Sequence, residues 1–315
     1  MSKKRSRRSR RKRKAPDEKL AIPDPRAMEK LTADISHILS EQEFESMDEA
    51  KAFLDALLAT SGPLPSPSPR SPLEKAQDLV YEAWEANGKL RLELAREALD
   101  ISEDCADAWV LLAEEAAGSL HEARVFYDAG VRAGERALGR EAFEEYAGHF
   151  WGVLETRPYM RARAGLAQCL WNLDKRDEAI DHLQEMLRLN PGDNQGIRYV
   201  LLTYLLEEGP DSALEDLMHA YGQDTSAVWY YSRALLSFRN QGASSTARKH
   251  LQEALRFNPH VPAFLLQARP LPFKLPDSIG FGDEDEAVVY VADNGHLWQE
   301  EEGAVDWMRR IAKTL

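Results

Sequence analysis

The feature that most constrains this chain is a hydrophobic pattern that repeats every 34 residues. The segment LQEMLRLNPGD (183–193) returns as LQEALRFNPHV (251–261) after 68 residues, which is twice that period. Four positions of the 34-residue unit are each filled three times by hydrophobic residues: Leu170, Tyr204 and Phe238; Ala179, Ala213 and Ala247; Leu183, Leu217 and Leu251; Met186, Ala220 and Ala254. A repeat of this length indicates a stack of similar helical units rather than one compact core.

Three consecutive units follow from this register, at residues 160–193, 194–227 and 228–261. The alanines allow two antiparallel helices to approach closely, and a proline after the second helix ends it. Pro191 and Pro259 hold that position, whereas Thr225 replaces proline in the middle unit. The pattern resembles the tetratricopeptide repeat, which implies helix–turn–helix hairpins that bury their apolar faces on their neighbours.

The rest of the chain divides around these units by composition. The stretch SGPLPSPSPRSP excludes a helix interior and is typical of an extended linker. We predict an all-α, tetratricopeptide-like helical-hairpin solenoid. Its predicted parts are a disordered basic N-terminal tail (1–25), a short helical hairpin (26–60), a Pro/Ser linker (61–72), two degenerate helical-pair repeats (73–135), an insert helix (136–159), three tetratricopeptide-like repeats (160–261) and C-terminal capping helices (262–315).

Charge is distributed unevenly along the chain. The net charge is −13, but ten cations and no acid lie in the first fourteen residues, so the remainder carries 30 basic against 53 acidic residues, a net −23. The ten cations are Lys3, Lys4, Arg5, Arg7, Arg8, Arg10, Arg11, Lys12, Arg13 and Lys14. Such a block favours salt-sensitive, sequence-independent binding of nucleic acid. The block holds no aromatic residue for base stacking, so its selectivity would be poor. The alternative is a solvated charge block with weak, incidental binding.

No stretch of 18 consecutive apolar residues occurs, and the segment after the basic tail is too polar for a secretory signal. We therefore expect a cytoplasmic protein without membrane segments. The two cysteines, Cys105 and Cys169, form no CxxC pair, which excludes the usual zinc-site spacing and a disulfide framework. We expect both to be buried free thiols.

The sequence shows no pattern typical of catalysis or of cofactor binding. It lacks GxSxG, phosphate-loop and kinase signatures, and His121 has no second histidine four residues on. The acidic run GDEDE (282–286) lacks calcium-loop spacing, which favours the acidic start of a helix over a cation site. We predict no catalytic residue, no metal and no cofactor, and a protein that is not an enzyme.

A solenoid of helical pairs offers the exposed positions of its first helices as a binding surface. The second, fifth, ninth and twelfth residues of the three units give the candidates: Arg161, Gln168 and Trp171; Gln195, Arg198, Leu202 and Leu205; Trp229, Ser232, Leu236 and Arg239. Arginine guanidiniums bind carboxylates in bidentate fashion, and tryptophans anchor interfaces, so the hypothesis is a groove for an acidic or C-terminal peptide. The alternative is that the tryptophans pack between repeats and the arginines pair with nearby acids.

The carboxylate clamp of chaperone-binding tetratricopeptide domains is not expected here. That clamp needs asparagine at the sixth position of the unit, and this sequence has Gly165, Tyr199 and Arg233 there. We therefore predict a protein partner other than a chaperone tail.

A closer resemblance is carried by three segments. ALDISEDCADAWVLLAEEAAGSLHEARVFYDAGVRAG, LRFNPHVPAFLLQARPLP and GDEDEAVVYVADNGHLWQEEEGAVDWM resemble the suppressor-of-tumorigenicity-7 family over about residues 74–310. The resemblance implies a repeat scaffold and supplies no catalytic residues to transfer. Animal members carry hydrophobic membrane segments flanking this region, which this sequence lacks, so the resemblance does not imply a membrane location. We predict a non-catalytic scaffold that binds a peptide or protein on its concave face; the alternative is a nucleic-acid or ribosome-associated protein acting through the basic tail.

Overall fold

A computed structural model describes residues 25–59, 71–276 and 278–313. Within these ranges all regular structure is helical, with fifteen α-helices and two short 3-10 turns, which confirms the all-α prediction. The predicted basic tail and most of the Pro/Ser linker lie outside the described residues. The chain divides into two units, residues 1–69 and 70–315.

The described part of the first unit is a pair of helices, α1 (Pro25–Ser40) and α2 (Met47–Ala59). Ser46 accepts a hydrogen bond from Glu49 N at 3.2 Å and so begins α2. The rings of Phe44 and Phe53 lie 5.5 Å apart, which packs the connection against α2.

The second unit begins with five helical hairpins. They are α3 (Pro72–Glu85) with α4 (Lys89–Ile101), α5 (Ala106–Glu115) with α6 (Leu120–Glu145), α7 (Arg157–Asn172) with α8 (Arg176–Leu189), α9 (Ile197–Glu208) with α10 (Asp211–Ala220), and α11 (Ala227–Gln241) with α12 (Ser245–Phe257). The two helices of each hairpin pack together, and first helices of successive hairpins also meet, as α3 does with α5 and α5 with α7. This succession of neighbouring pairs is an α-solenoid.

The alanine column of the repeat lies where two helices approach. Ala179 and Ala247 are fully buried, as close packing of α8 and α12 on their partners requires. The middle hairpin differs, because Ala213 is only half-buried. Its second helix, α10, has 10 residues, against 14 in α8 and 13 in α12. The shorter helix covers less of its own hairpin, so the same column is less buried there.

The segment between the second and third hairpins is irregular. Gly139 has φ of 66° and breaks α6, a conformation that favours glycine. Two 3-10 turns follow, Phe150–Gly152 and Leu154–Thr156. Phe150 is fully buried, with its ring 6.0 Å from that of Tyr159 in α7. The segment is thus fixed against α7.

Three helices follow the last hairpin: α13 (Val261–Leu265), α14 (Glu284–Glu300) and α15 (Ala304–Ala312). Asp283 begins α14 by accepting a hydrogen bond from Glu286 N at 2.8 Å, and three acids occupy the first turn, where the helix dipole favours negative charge. The acidic run therefore starts a helix, as the sequence indicated. α15 packs on α12 and places Trp307 on Phe238, with ring centroids 4.6 Å apart.

Candidate functional site

The first helices of the hairpins line one face of the solenoid, here named the first-helix face. α14 packs against α9 and α11, and these two helices form its covered half. The other first helices, α3, α5 and α7, form its open half: among residues 71–276 and 278–313, substantial packing on them comes only from neighbouring hairpin helices and the 3-10 turns.

Polar side chains hold α14 in register on the covered half. Thr203 Oγ1 in α9 donates to Asn294 Oδ1 at 2.8 Å, and Asn294 is buried. His296 Nε2 lies 2.7 Å from Glu207 Oε1, four residues further along α9 and two residues further along α14. Since each bond joins residues about ninety positions apart in sequence, sliding or rotating α14 would break both of them.

The start of α14 is fixed by a buried carboxylate. Glu286, 2% exposed, accepts from the backbone N of Ala227 at 2.8 Å, at the first residue of α11. Its other oxygen accepts from Asn258 Nδ2 at 2.9 Å and from Gly282 N at 2.7 Å. A carboxylate at a helix N-terminus is favoured by the helix dipole and satisfies a free N–H group. Glu286 therefore ties α14 to the beginning of α11.

Aromatic rings form the apolar part of the same contact. Trp298 is fully buried, and its Nε1 donates to Tyr290 Oη at 2.7 Å. The ring of Tyr231 in α11 lies 5.4 Å from Tyr290 and 6.4 Å from Trp298. Burial raises the pKa of Tyr290, so its hydroxyl stays protonated. α14 is therefore part of the core and not a loosely attached segment.

The covering helix changes the expected binding surface. Five predicted positions of the covered half are buried: Leu202, Leu205, Trp229, Ser232 and Leu236. The assumption that they are exposed is wrong, because α14 occupies this half and the tryptophan packs between hairpins. Trp229 meets Tyr199 and Tyr221 edge-on, each at 6.2 Å between ring centroids. A partner role for the five stays a prediction that would require these side chains to become exposed.

Arg198 joins two turns between hairpins. Its Nη1 donates to Asp193 Oδ2 at 2.9 Å and its Nε to Asp224 Oδ2 at 2.8 Å. Burial pushes the pKa of Asp224 upward, but hydrogen bonds from Ser226, Arg198 and Tyr199 outweigh it, so that the pKa lies below its usual value. The guanidinium is engaged by two carboxylates, which is the alternative considered for these arginines.

Arg239 is engaged in the same way in the covered half. Its Nε donates to Glu301 Oε2 at 3.0 Å, just after α14, and its Nη1 donates to the carbonyl of Leu206 in α9 at 2.8 Å. It therefore links the end of α14 to two first helices.

Arg161 lies in the open half and makes a buried ion pair. Its Nε and Nη2 donate to the two oxygens of Asp107 at 2.8 and 2.6 Å, and Asp107 is fully buried. Gln77 Nε2 adds a third hydrogen bond to Asp107 at 2.9 Å, so side chains of α3, α5 and α7 meet at one carboxylate. This bidentate pair anchors the open half.

The remaining predicted positions differ in accessibility. Trp171 is buried and stacks on Tyr204 with ring centroids 3.6 Å apart. Gln195 is half-buried, whereas Gln168 in α7 is exposed. Gln168 is therefore the predicted residue that lies most openly on the first-helix face.

The structure adds neighbours that the repeat register did not identify. Arg157 lies over the ring of Trp151 at 5.2 Å, and Arg161 lies 6.0 Å from Trp151 and 5.1 Å from Trp84. Arginine and tryptophan thus alternate along the start of α7, a cation–π arrangement. Trp151 belongs to the irregular segment and Trp84 to a degenerate repeat, so the 34-residue register could not place them. The only signal was their residue type.

Both cysteines are buried free thiols, as expected. Burial, followed by the charge of Asp107, raises the pKa of Cys105 to about 12, so the thiol stays protonated. The ten cations of the tail lie outside the described residues.

Among the helices that the structure describes, none combines the length and apolar composition that a bilayer crossing requires.

Comparison with known proteins places the chain in a family. The model of the family described as ST7 protein matches residues 70–314. The Suppressor of tumorigenicity 7 protein-like of Rattus norvegicus is 27% identical over 260 residues, which covers 75% of this chain and 46% of that protein. The Protein ST7 homolog of Drosophila pseudoobscura pseudoobscura is 27% identical over 255 residues, covering 73% and 47%. The chain thus spans about half the length of these curated relatives. Because the family model matches well over half of the sequence, the chain belongs to the ST7 protein family.

Proposed function

We propose that this protein is a non-catalytic scaffold that binds a peptide or protein partner on the open half of its first-helix face. The observation that carries the proposal is the unequal covering of that face. α14 fills the half formed by α9 and α11, while α3, α5 and α7 receive substantial packing only from their neighbours within residues 71–276 and 278–313. A binding surface on the first helices is common to helical-pair solenoids.

The chemistry of α7 supports an acidic partner. The helix sequence RPYMRARAGLAQCLWN contains three arginines and no acid, in a chain whose remainder beyond the tail is strongly acidic. Arg161 is engaged by Asp107 and adds positive charge to α7, and Gln168 is exposed two turns further along the same helix. An acidic segment lying along α7 fits this excess of positive charge.

The test uses peptides selected by phage display on the full chain, with affinities measured by fluorescence anisotropy. Gln168→Glu places a like charge on the exposed surface of α7 and should weaken acidic peptides about tenfold, through a loss of about 1.4 kcal/mol. Gln299→Glu is the matched control, because Gln299 is exposed on α14 in the covered half. Equal binding to both variants would contradict the proposal.

A second candidate function is association with nucleic acid or the ribosome through the basic tail. The supporting observation is the block of ten cations without an acid in residues 1–14. A labelled random-sequence RNA should bind the full chain and not a chain starting at Asp17, and binding should fall steeply with salt. Equal binding by both chains would exclude the tail as the cause. A cytoplasmic location stays a prediction for either function.

A further inference from the structure

The connection between α13 and α14 exposes apolar side chains. We name residues 270–276 and 278–282 the apolar loop. Its base is closed by Arg269, which donates to both oxygens of Glu284 at 2.7 and 2.8 Å. The backbone N of Arg269 also donates to the carbonyl of Ala263 at 2.8 Å, and Gly280 N donates to Asp283 Oδ2 at 2.8 Å. Both ends of the loop are thus fixed to the folded unit.

The large apolar residues of this loop point away from the core. Phe273 is completely exposed and Phe281 is 68% exposed. Leu271, Leu275 and Ile279 are 39%, 43% and 49% exposed. Compact surface loops with closed ends normally pack their own side chains, which this loop does not do.

The concentration of these side chains separates them from ordinary surface residues. Among the described residues, thirteen large apolar side chains are exposed, and five of them lie within residues 271–281. Single exposed apolar residues are common on proteins, whereas a contiguous group marks a contact surface. The loop therefore has the character of a binding segment.

Its prolines determine what kind of contact it can make. PLPFKLP (270–276) has three prolines, which fix φ near −65° and remove three backbone N–H donors. The residues before them, Arg269, Leu271 and Leu275, are restricted to extended conformations. A segment of this type cannot pair along its length as a β-strand. It docks through its side chains into a groove, with little conformational entropy left to lose.

The charges near the loop are mixed. Lys274 lies within the segment and Arg269 at its base, while Glu284 and the exposed Asp285 begin α14. Because these charges nearly balance, the apolar side chains and not charge determine the contact, and an extended proline-containing segment fits an apolar groove of a protein.

We propose that residues 270–276 form a docking segment that inserts Phe273 and Leu275 into a groove of a partner protein, lined by aromatic and aliphatic side chains. This surface is separate from the open half of the first-helix face. The two proposals can therefore succeed or fail independently.

The test places a photo-crosslinking amino acid at position 273 of the full chain in the cells that naturally make it. Position 125 serves as the matched control, because Val125 is an apolar residue of α6 that is 60% exposed. We expect a protein adduct at 273 and none at 125. The supporting result is competition: in lysate, excess synthetic peptide ARPLPFKLP should reduce the adduct at least tenfold, and the same peptide carrying F273D should leave it unchanged.

Four outcomes would overturn the proposal. Three of them concern the crosslink: no adduct at 273, an adduct insensitive to the peptide, or an adduct of two copies of this chain. The fourth is that the full chain sediments with phosphatidylcholine or phosphatidylserine vesicles and that the substitution F273D abolishes this sedimentation. Since Phe273 is fully exposed, unfolding does not explain a change in any of these measurements; thermal melting of the F273D chain serves as the check.

Discussion

The two halves of the first-helix face are built from equivalent helices, but they differ in how far their side chains are buried. In the covered half, Leu202, Trp229 and Ser232 are buried, and polar bonds fix α14 above α9 and α11. In the open half, Gln168 is exposed and the buried carboxylate of α5 is neutralised locally by Arg161. The ninth position of the repeat is therefore surface in one half and core in the other: Gln168 is exposed, whereas Leu202 and Leu236 are buried.

The largest expected loss of stability follows from removing Trp298, the aromatic anchor of the covering helix α14. Trp298→Ala deletes a fully buried indole and its bond to Tyr290, and should lower the free energy of unfolding by about 4 kcal/mol. Trp151→Ala, in the half-buried segment beside the open half, should cost about 1 kcal/mol. Urea denaturation measures both. Equal losses would mean that α14 contributes no more to stability than the segment beside the open half.

The next prediction compares the stability lost when a buried ion pair is broken with the stability lost when an accessible one is broken. Arg161→Ala leaves the carboxylate of Asp107 buried without its counter-ion and should cost about 3 kcal/mol. Arg239→Ala, whose partner Glu301 is partly accessible, should cost at most about 1 kcal/mol.

A double-mutant cycle gives the control for this difference. In the background of Asp107→Ala, which also removes the buried charge, Arg161→Ala should cost much less than it does alone. An unchanged cost would show that arginine packing, and not the charge, stabilises the open half.

A smaller effect tests the repeat register across the two halves. Ala179→Leu overpacks a fully buried position between α7 and α8 and should cost about 2 kcal/mol. Ala213 holds the same repeat position in the middle hairpin but is only half-buried, so Ala213→Leu should cost less than about 1 kcal/mol. Thermal and urea unfolding of the two variants measure the difference. A reversed order would contradict the helical register.

The smallest effect is a pH dependence of stability that comes from two second helices. Burial, followed by the nearby charge of Arg163, lowers the pKa of His182 in α8. Burial, followed by the charge of Arg233, lowers the pKa of His250 in α12. Protonation therefore favours the unfolded chain, so stability is complete above the ordinary histidine pKa of about 6.5 and declines as pH falls below it. Urea midpoints at pH 7.5 and 5.5 should differ less in His182→Gln and His250→Gln than in the natural chain.

The sequence predicts those features that depend on local spacing. Helical hairpins, the buried Ala179 and Ala247, and the acidic start of α14 follow from periodicity and from the helix dipole. The position of α14 does not follow, because it depends on contacts such as Thr203 with Asn294, ninety-one residues apart. The repeat pattern predicts an exposed face for the first-helix residues, because it contains no information about a later helix that packs on α9 and α11.

The covering of α9 and α11 has a consequence for biosynthesis. A ribosome makes the first helices of these hairpins well before residues 284–300 have emerged from its exit tunnel. During that interval the ring of Tyr231 in α11 lacks its neighbours Tyr290 and Trp298, and the apolar surface of α11 that they cover is exposed on the nascent chain. Premature termination before α14 would make that surface permanent, so truncated products should aggregate or be degraded even though every repeat is intact.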